Sequence, residues 1–195
     1  MSRVRNLSPW VACLLALVLL AAGPAAADCD GDPCDFPGTN MNDVYNATTD
    51  SLVICGLAGF DILNAHGGQN KICGDAGGDN IGGADKFDVL IGGTSPDAIV
   101  GGNGPDEIDA GAGNTTGGFN SASGGIGGDT IEGGPHPDEL DGESGPDTLD
   151  GLADDDELIG GSGNDDLDGG SGTDDLDGGT GTDTCVNGET VTNCP

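Results

Sequence analysis

Residues 160–186 read GGSGNDDLD GGSGTDDLD GGTGTDTCV, three nine-residue units in which Gly-Gly-x-Gly-x-Asp leads into a short triplet with an apolar or cysteine centre. Their aspartates, Asp165, Asp174 and Asp183, set a phase that runs back through the chain. Counting by nine gives Asp156, Asp147, Asp138 and Asp129, preceded by Asn120. Beyond a gap of fourteen residues the series continues as Asp106, Asp97, Asp88, Asp79, Asn70, Asp61, Leu52 and Asp43. Two residues after each slot lies a second series, from Tyr45, Ile54 and Leu63 to Leu158, Leu167, Leu176 and Cys185. Only Ala122 and Cys185 in it are not large and apolar. Internal repetition at a fixed period is the mark of a stacked architecture.

Composition alone points elsewhere. There are 40 Gly, 35 Asp and Glu and only 4 Lys and Arg, for a net charge of −31. Such a balance ordinarily describes a solvated, unfolded chain. An unstructured coil has no reason to keep two series in step, so the pattern overrides the composition. The charge disfavours nucleic acid, whose phosphates need clustered Lys and Arg, and disfavours anionic membranes. A cation is the partner that fits.

Residues 1–27 differ from the rest. Arg3 and Arg5 precede an apolar stretch, Trp10 to Ala22, and Ala25-Ala26-Ala27 offers a small-residue cleavage site, so the segment reads as an export signal. Cleavage there leaves Lys71 and Lys86 against 35 carboxylates, and six cysteines: Cys29, Cys34, Cys55, Cys73, Cys185 and Cys194. An even number in an exported chain suggests disulfides, with 15 connectivities open.

The repeat dictates an all-β local structure. Each unit is a glycine-rich turn and a short strand such as Asp175-Leu176-Asp177, in which only Leu176 faces inward. One apolar side chain per nine residues builds a core only if the turns stack and align Leu on Leu. Forty glycines and the lack of a 3.6-residue period exclude a helix.

The sequence resembles the RTX, or haemolysin-type, calcium-binding repeats, whose pattern is Gly-Gly-x-Gly-x-Asp-x-apolar-x. Gly101–Asp106, Gly124–Asp129, Gly160–Asp165, Gly169–Asp174 and Gly178–Asp183 match its first six positions in full. The resemblance covers residues 43–183 and implies a parallel β-roll, a right-handed β-solenoid with two units per coil and Ca2+ between successive turns. On that plan residues 28–42 and 184–195 are short caps. Slots eighteen apart stack, with Asp147, Asp165 and Asp183 on one edge and Asp156 and Asp174 on the other. The expected calcium ligands are Asp97, Asp106, Asp129, Asp138, Asp147, Asp156, Asp165, Asp174 and Asp183, with the backbones of Gly160, Gly169 and Gly178. Calcium takes six to eight oxygens, which Asp and turn carbonyls supply.

The pattern degrades outside these segments. Lys86 replaces the third glycine before Asp88 and Asp154 does so before Asp156, while Asn70 and Leu52 lack the charge; fewer ions are expected in the N-terminal half. The five extra residues before Asn120 predict a loop at about 112–118, either a splice between two rolls or an insertion in one. An eighteen-residue coil places Cys55 and Cys73 on one face of adjacent layers, predicting a Cys55–Cys73 bridge. Cys29 with Cys34 and Cys185 with Cys194 then pair by proximity. Outward acids such as Asp109, Glu132, Asp141, Asp150, Asp168 and Asp177 read as a solvated face that blocks edge pairing.

Chemistry beyond cation binding finds little support. His66 and His136 lack zinc-ligand spacing, and no Gly-x-Ser-x-Gly elbow exists. The expectation is a secreted bacterial calcium-binding protein without enzymatic activity. The alternative is a structural or adhesive surface module that uses calcium only for rigidity.

Overall fold

A computed structural model of the chain describes residues 28–29, 31–48, 51–113 and 118–195; the expected signal segment at 1–27 lies outside them. The described residues form strands and turns only. Two parallel sheets face one another. One runs from Phe36–Pro37 through Val53–Cys55 to Thr184–Val186 in nine strands. The other runs from Val44–Ala47 through Ile62–Ala65 to Thr190–Thr192, with two short strands beside its main path. Consecutive strands alternate between the sheets, so the chain winds as a parallel β-solenoid.

The apolar series forms the core. Ile54, Ile72, Leu90, Ile108, Ile131, Leu149 and Leu167 stack in one sheet and Leu63, Ile81, Ile99, Leu140, Leu158 and Leu176 in the other, all buried. Their registers differ by eighteen residues, as in Leu149↔Leu167 and Leu158↔Leu176. Central strands are longer than the triplet expected. Asp138–Ser144 spans seven residues, because pairing continues through the turn glycines.

The register shifts in two places. Ala98 pairs with Ser121 and Glu107 with Thr130, so the stack runs unbroken past the extra five residues, which are an insertion in one continuous roll. Their core, 114–117, lies outside the described residues. Near the C-terminus Asp175 pairs with Thr190, three residues early.

The turn glycines act in different ways. Gly102 and Gly104 adopt φ of 112° and 124°, a region that side chains resist. Lys86 and Asp154, at the place of the third motif glycine, keep the same hand at φ 75° and 82°, and Leu152 takes the place of a second glycine at φ 70°. The fold therefore imposes the turn even where the residue opposes it.

The N-terminal cap corrects the expected disulfides. Cys29 bonds to Cys73 and Cys34 to Cys55, with Cα separations of 5.7 and 6.0 Å. Cys55 and Cys73 are register partners, as the eighteen-residue coil requires. In-register parallel neighbours, however, project their side chains side by side at about the strand spacing of 4.8 Å, wider than the roughly 3.5–4.5 Å between Cβ atoms that a bridge takes. Both sulfurs instead meet the cap that lies over this face, where Cys29, Cys55 and Cys73 are buried with Cys34, Val53, Leu57 and Ile91 packed around them. Lys71 Nζ adds an ion pair to the cap at Asp32, 3.0 Å away. At the other end Cys185 bonds to Cys194.

Leu152 offers a test of the turn geometry. Its side chain is part-exposed and its backbone left-handed, a state costing roughly 1–2 kcal/mol for a residue with a Cβ. Leu152→Gly should stabilise the folded protein by up to about 1 kcal/mol after the entropy of the added glycine, read as a higher thermal midpoint.

Candidate metal centres

The aspartate slots are the most uniform feature of the molecule. Asp61 and the eleven slot aspartates from Asp79 to Asp183 are buried, at 5 % exposure or less. Each presents its Oδ1 to the backbone N–H of the slot residue one layer earlier. Asp165 Oδ1 accepts from Asp147 N at 3.0 Å, Asp183 Oδ1 from Asp165 N at 3.0 Å, and Asp174 Oδ1 from Asp156 N at 3.0 Å. The insertion does not interrupt the columns, since Asp129 Oδ1 accepts from Asp106 N at 2.8 Å across 23 residues. Asp147, Asp165 and Asp183 thus line one edge and Asp138, Asp156 and Asp174 the other.

The second oxygen is left over. Oδ2 of Asp97, Asp106, Asp129, Asp138, Asp147, Asp156, Asp165, Asp174 and Asp183 is buried with no hydrogen-bond partner, and so is that of Asp61, Asp79 and Asp88. These last three share the geometry although they were not among the expected ligands. In ten of these twelve turns, all but those of Asp129 and Asp183, the Oδ2 lies against the first glycine of its own turn beside a carbonyl oxygen of the next layer. A Cβ built on Gly160 would stand 2.8 Å from Asp165 Oδ2 and 2.8 Å from the Gly178 carbonyl oxygen. On Gly151 it would meet Asp156 Oδ2 at 2.5 Å and the Gly169 oxygen at 2.9 Å, and on Gly142 Asp147 Oδ2 at 2.6 Å and the Gly160 oxygen at 2.8 Å. Among the described residues no three acidic, histidine or cysteine side chains are placed to hold a metal ion by themselves. The cradle instead combines carboxylates with turn carbonyls. Two electron-rich oxygens facing one space without a hydrogen between them suit a hard cation.

Three turns lack the aspartate, and each also lacks the glycine. Ala47 precedes Leu52, Ala65 precedes Asn70, and Ala110 opens the long turn to Asn120; every slot Asp has Gly at that place. A methyl group thus occupies the cradle only where no carboxylate faces it. Asn70 also supplies its own hydrogens, donating from Nδ2 to the Gly67 carbonyl at 3.2 Å and to Asp88 Oδ1 at 3.0 Å. Asn120 Nδ2 reaches the Gly111 carbonyl at 3.3 Å. These rungs close without a cation.

Some outward acids are more than a solvated face. Asp141, Asp150, Asp168 and Asp177 are half-buried, and their Oδ1 atoms accept N–H groups two residues on, at Glu143, Leu152, Gly170 and Gly179. Such local bonds brace the start of each turn.

The columns are electrostatically costly. Burial pushes the carboxyls of Asp79, Asp138 and Asp147 up to about 6 and those of Asp97 and Asp106 to about 7, against the lowering effect of the amide bonds. Burial, then the carboxylates of Asp138, Asp174 and Asp154, push Asp156 up to about 8. Groups raised in this way bind protons more tightly in the stack than in the unfolded chain, so cation-free stability falls as pH rises from about 4 to about 8. The cation-free protein should therefore gain β-structure on acidification from pH 8 to 5, as read by circular dichroism.

Gly160→Ala tests the cradle. Gly160 does not have a positive φ, so its backbone angles admit alanine, and the added Cβ crowds both cradle oxygens, Asp165 Oδ2 and the Gly178 carbonyl, at 2.8 Å. Calorimetry should show at least one calcium fewer than in the unaltered protein.

Comparison with known sequences agrees with this geometry. The pattern described as the RTX calcium-binding nonapeptide repeat (4 copies) matches residues 53–81, 82–117, 114–149, 132–167 and 150–185. No curated protein and no solved structure matches the chain. The repeat match spans most of the sequence and coincides with the stacked layers and their carboxylate columns, and the chain belongs to the RTX calcium-binding nonapeptide repeat family.

Proposed function

We propose that this is a secreted bacterial calcium-binding protein, without enzymatic activity, whose roll is folded and rigidified by Ca2+ in the Gly- and Asp-rich turns. The observation that carries the reading is the row of buried, partnerless Oδ2 atoms on both edges, ten of them beside a carbonyl of the next layer. The residues fit the ion: Asp97, Asp106, Asp129, Asp138, Asp147, Asp156, Asp165, Asp174 and Asp183 would hold it with carbonyls such as those of Gly160, Gly169 and Gly178, and Asp61, Asp79 and Asp88 join them. When bound, calcium supplies the positive charge that stacked carboxylates need. Its binding energy then becomes folding energy. Export is supported by the basic and apolar pattern of residues 3–27 and by three disulfides, which persist in oxidising compartments.

A structural or adhesive module is the second reading, favoured by the extended sheet faces. Its outward positions, such as Glu139, Glu157 and Asp175 in successive layers, are acidic rather than a uniform adhesive surface.

Calcium titration decides between a conditional and an intrinsic fold. The circular dichroism spectrum should be coil-like with chelator and β-rich at millimolar calcium. An unchanged spectrum would defeat the reading.

A further inference from the structure

We propose that Glu189, outside the nine-residue repeat, supplies the last carboxylate of one edge and holds a terminal divalent cation with Asp174. The inference rests on the calcium reading of the turns and adds a ligand that the repeat does not contain. The turn from Gly169 to Asp174 has six residues, whereas the turn stacked on it has three, Asn187-Gly188-Glu189. Pairing of Thr190 with Asp175 brings Glu189 onto the rung beside Asp174, fifteen residues away rather than eighteen.

Glu189 then makes the bond that an aspartate makes inside the roll. Its Oε2 accepts the Asp174 N–H at 2.7 Å. Asp174 is 1 % exposed and its Oδ2 has no partner. That oxygen and the Asn187 carbonyl oxygen would each stand 2.7 Å from a Cβ on Gly169, repeating the arrangement of Asp156 Oδ2 and the Gly169 carbonyl one layer below. Asn187 is held in the left-handed region at φ 56°, and its Nδ2 donates to Asp168 Oδ1 at 2.7 Å, which fixes that carbonyl. Carboxylate, carbonyl and a second carboxylate thus recur in a turn with half the usual length.

The other edge ends differently. Beyond Asp183 the space above Gly178 is met by the Asn193 carbonyl at 2.8 Å and by Cys194 Sγ at 2.9 Å, the sulfur bonded to Cys185. On this edge a disulfide sulfur lies against the cradle glycine, as none does at Gly169. One terminal cation follows, on the Asp174 edge only.

The test is the calcium count of the full-length protein and of Glu189→Gln by native mass spectrometry, with amide hydrogen exchange at saturating calcium. Glutamine keeps an oxygen for the Asp174 amide and removes the charge. The expected result is one calcium fewer with the Asp174 amide still protected. An equal count overturns the proposal. So does a lost ion accompanied by lost protection at Asp174, which makes Glu189 a structural cap. If the unaltered protein binds no calcium at all, the broader reading of the turns fails instead.

Discussion

Each layer is tied to the next by a carboxylate oxygen that accepts the amide of the slot residue one coil earlier. The bond solves a local problem, since a buried N–H at the start of every strand needs an acceptor. It creates a larger one by stacking anions about 4.8 Å apart. At that spacing, with an effective dielectric constant near 20, neighbouring charges repel by roughly 3 kcal/mol. Protons or cations would relieve that repulsion along the dozen rungs of the roll. The raised carboxyls of Asp97, Asp106 and Asp156 show the first remedy, and the orphaned Oδ2 atoms show where the second would sit.

Most of the architecture was legible because period nine records both aspects of the unit at once. Asp165 and Leu167 specify a turn and an inward strand residue, and eighteen-residue stacking follows from two units per coil. The coil alone does not decide which cysteines bond. Register places Cys55 and Cys73 side by side, but side by side is not sulfur to sulfur. The missing clue lay on the same outer face, where Ile91 continues the apolar run that acids replace at Asp109 and beyond. An apolar outer face implies a cover, and the cover carries Cys29 and Cys34.

Other features needed coordinates to acquire meaning. The letters show Ala47 and Ala65 five residues before Leu52 and Asn70, and Ala110 ten before Asn120 across the insertion, yet nothing in them says that these pairs share a space. Distances from Gly160 and Gly151 to their aspartates supply that link. Glu189 is harder still, since it lies off the period and reaches its rung only because three residues are missing from the turn. By contrast, Lys86, Leu152 and Asp154 break the glycine pattern visibly and bring local backbone strain, because they replace the second or third glycine and leave the first, Gly83 or Gly151, in place.

The two ends of the stack bear on how the molecule meets its own copies. A parallel coil offers, at each end, a strand whose backbone groups could template another chain and grow a filament. Here the first rung of one sheet, Phe36–Pro37, includes a proline with no N–H to give. The hairpin of Asp28–Cys29 with Asp32–Pro33 is bolted beside it through Cys29 and Cys34. At the far end the Cys185–Cys194 staple folds the chain back over the final strands. Three disulfides thus tie both terminal segments to the roll by covalent bonds that do not depend on calcium.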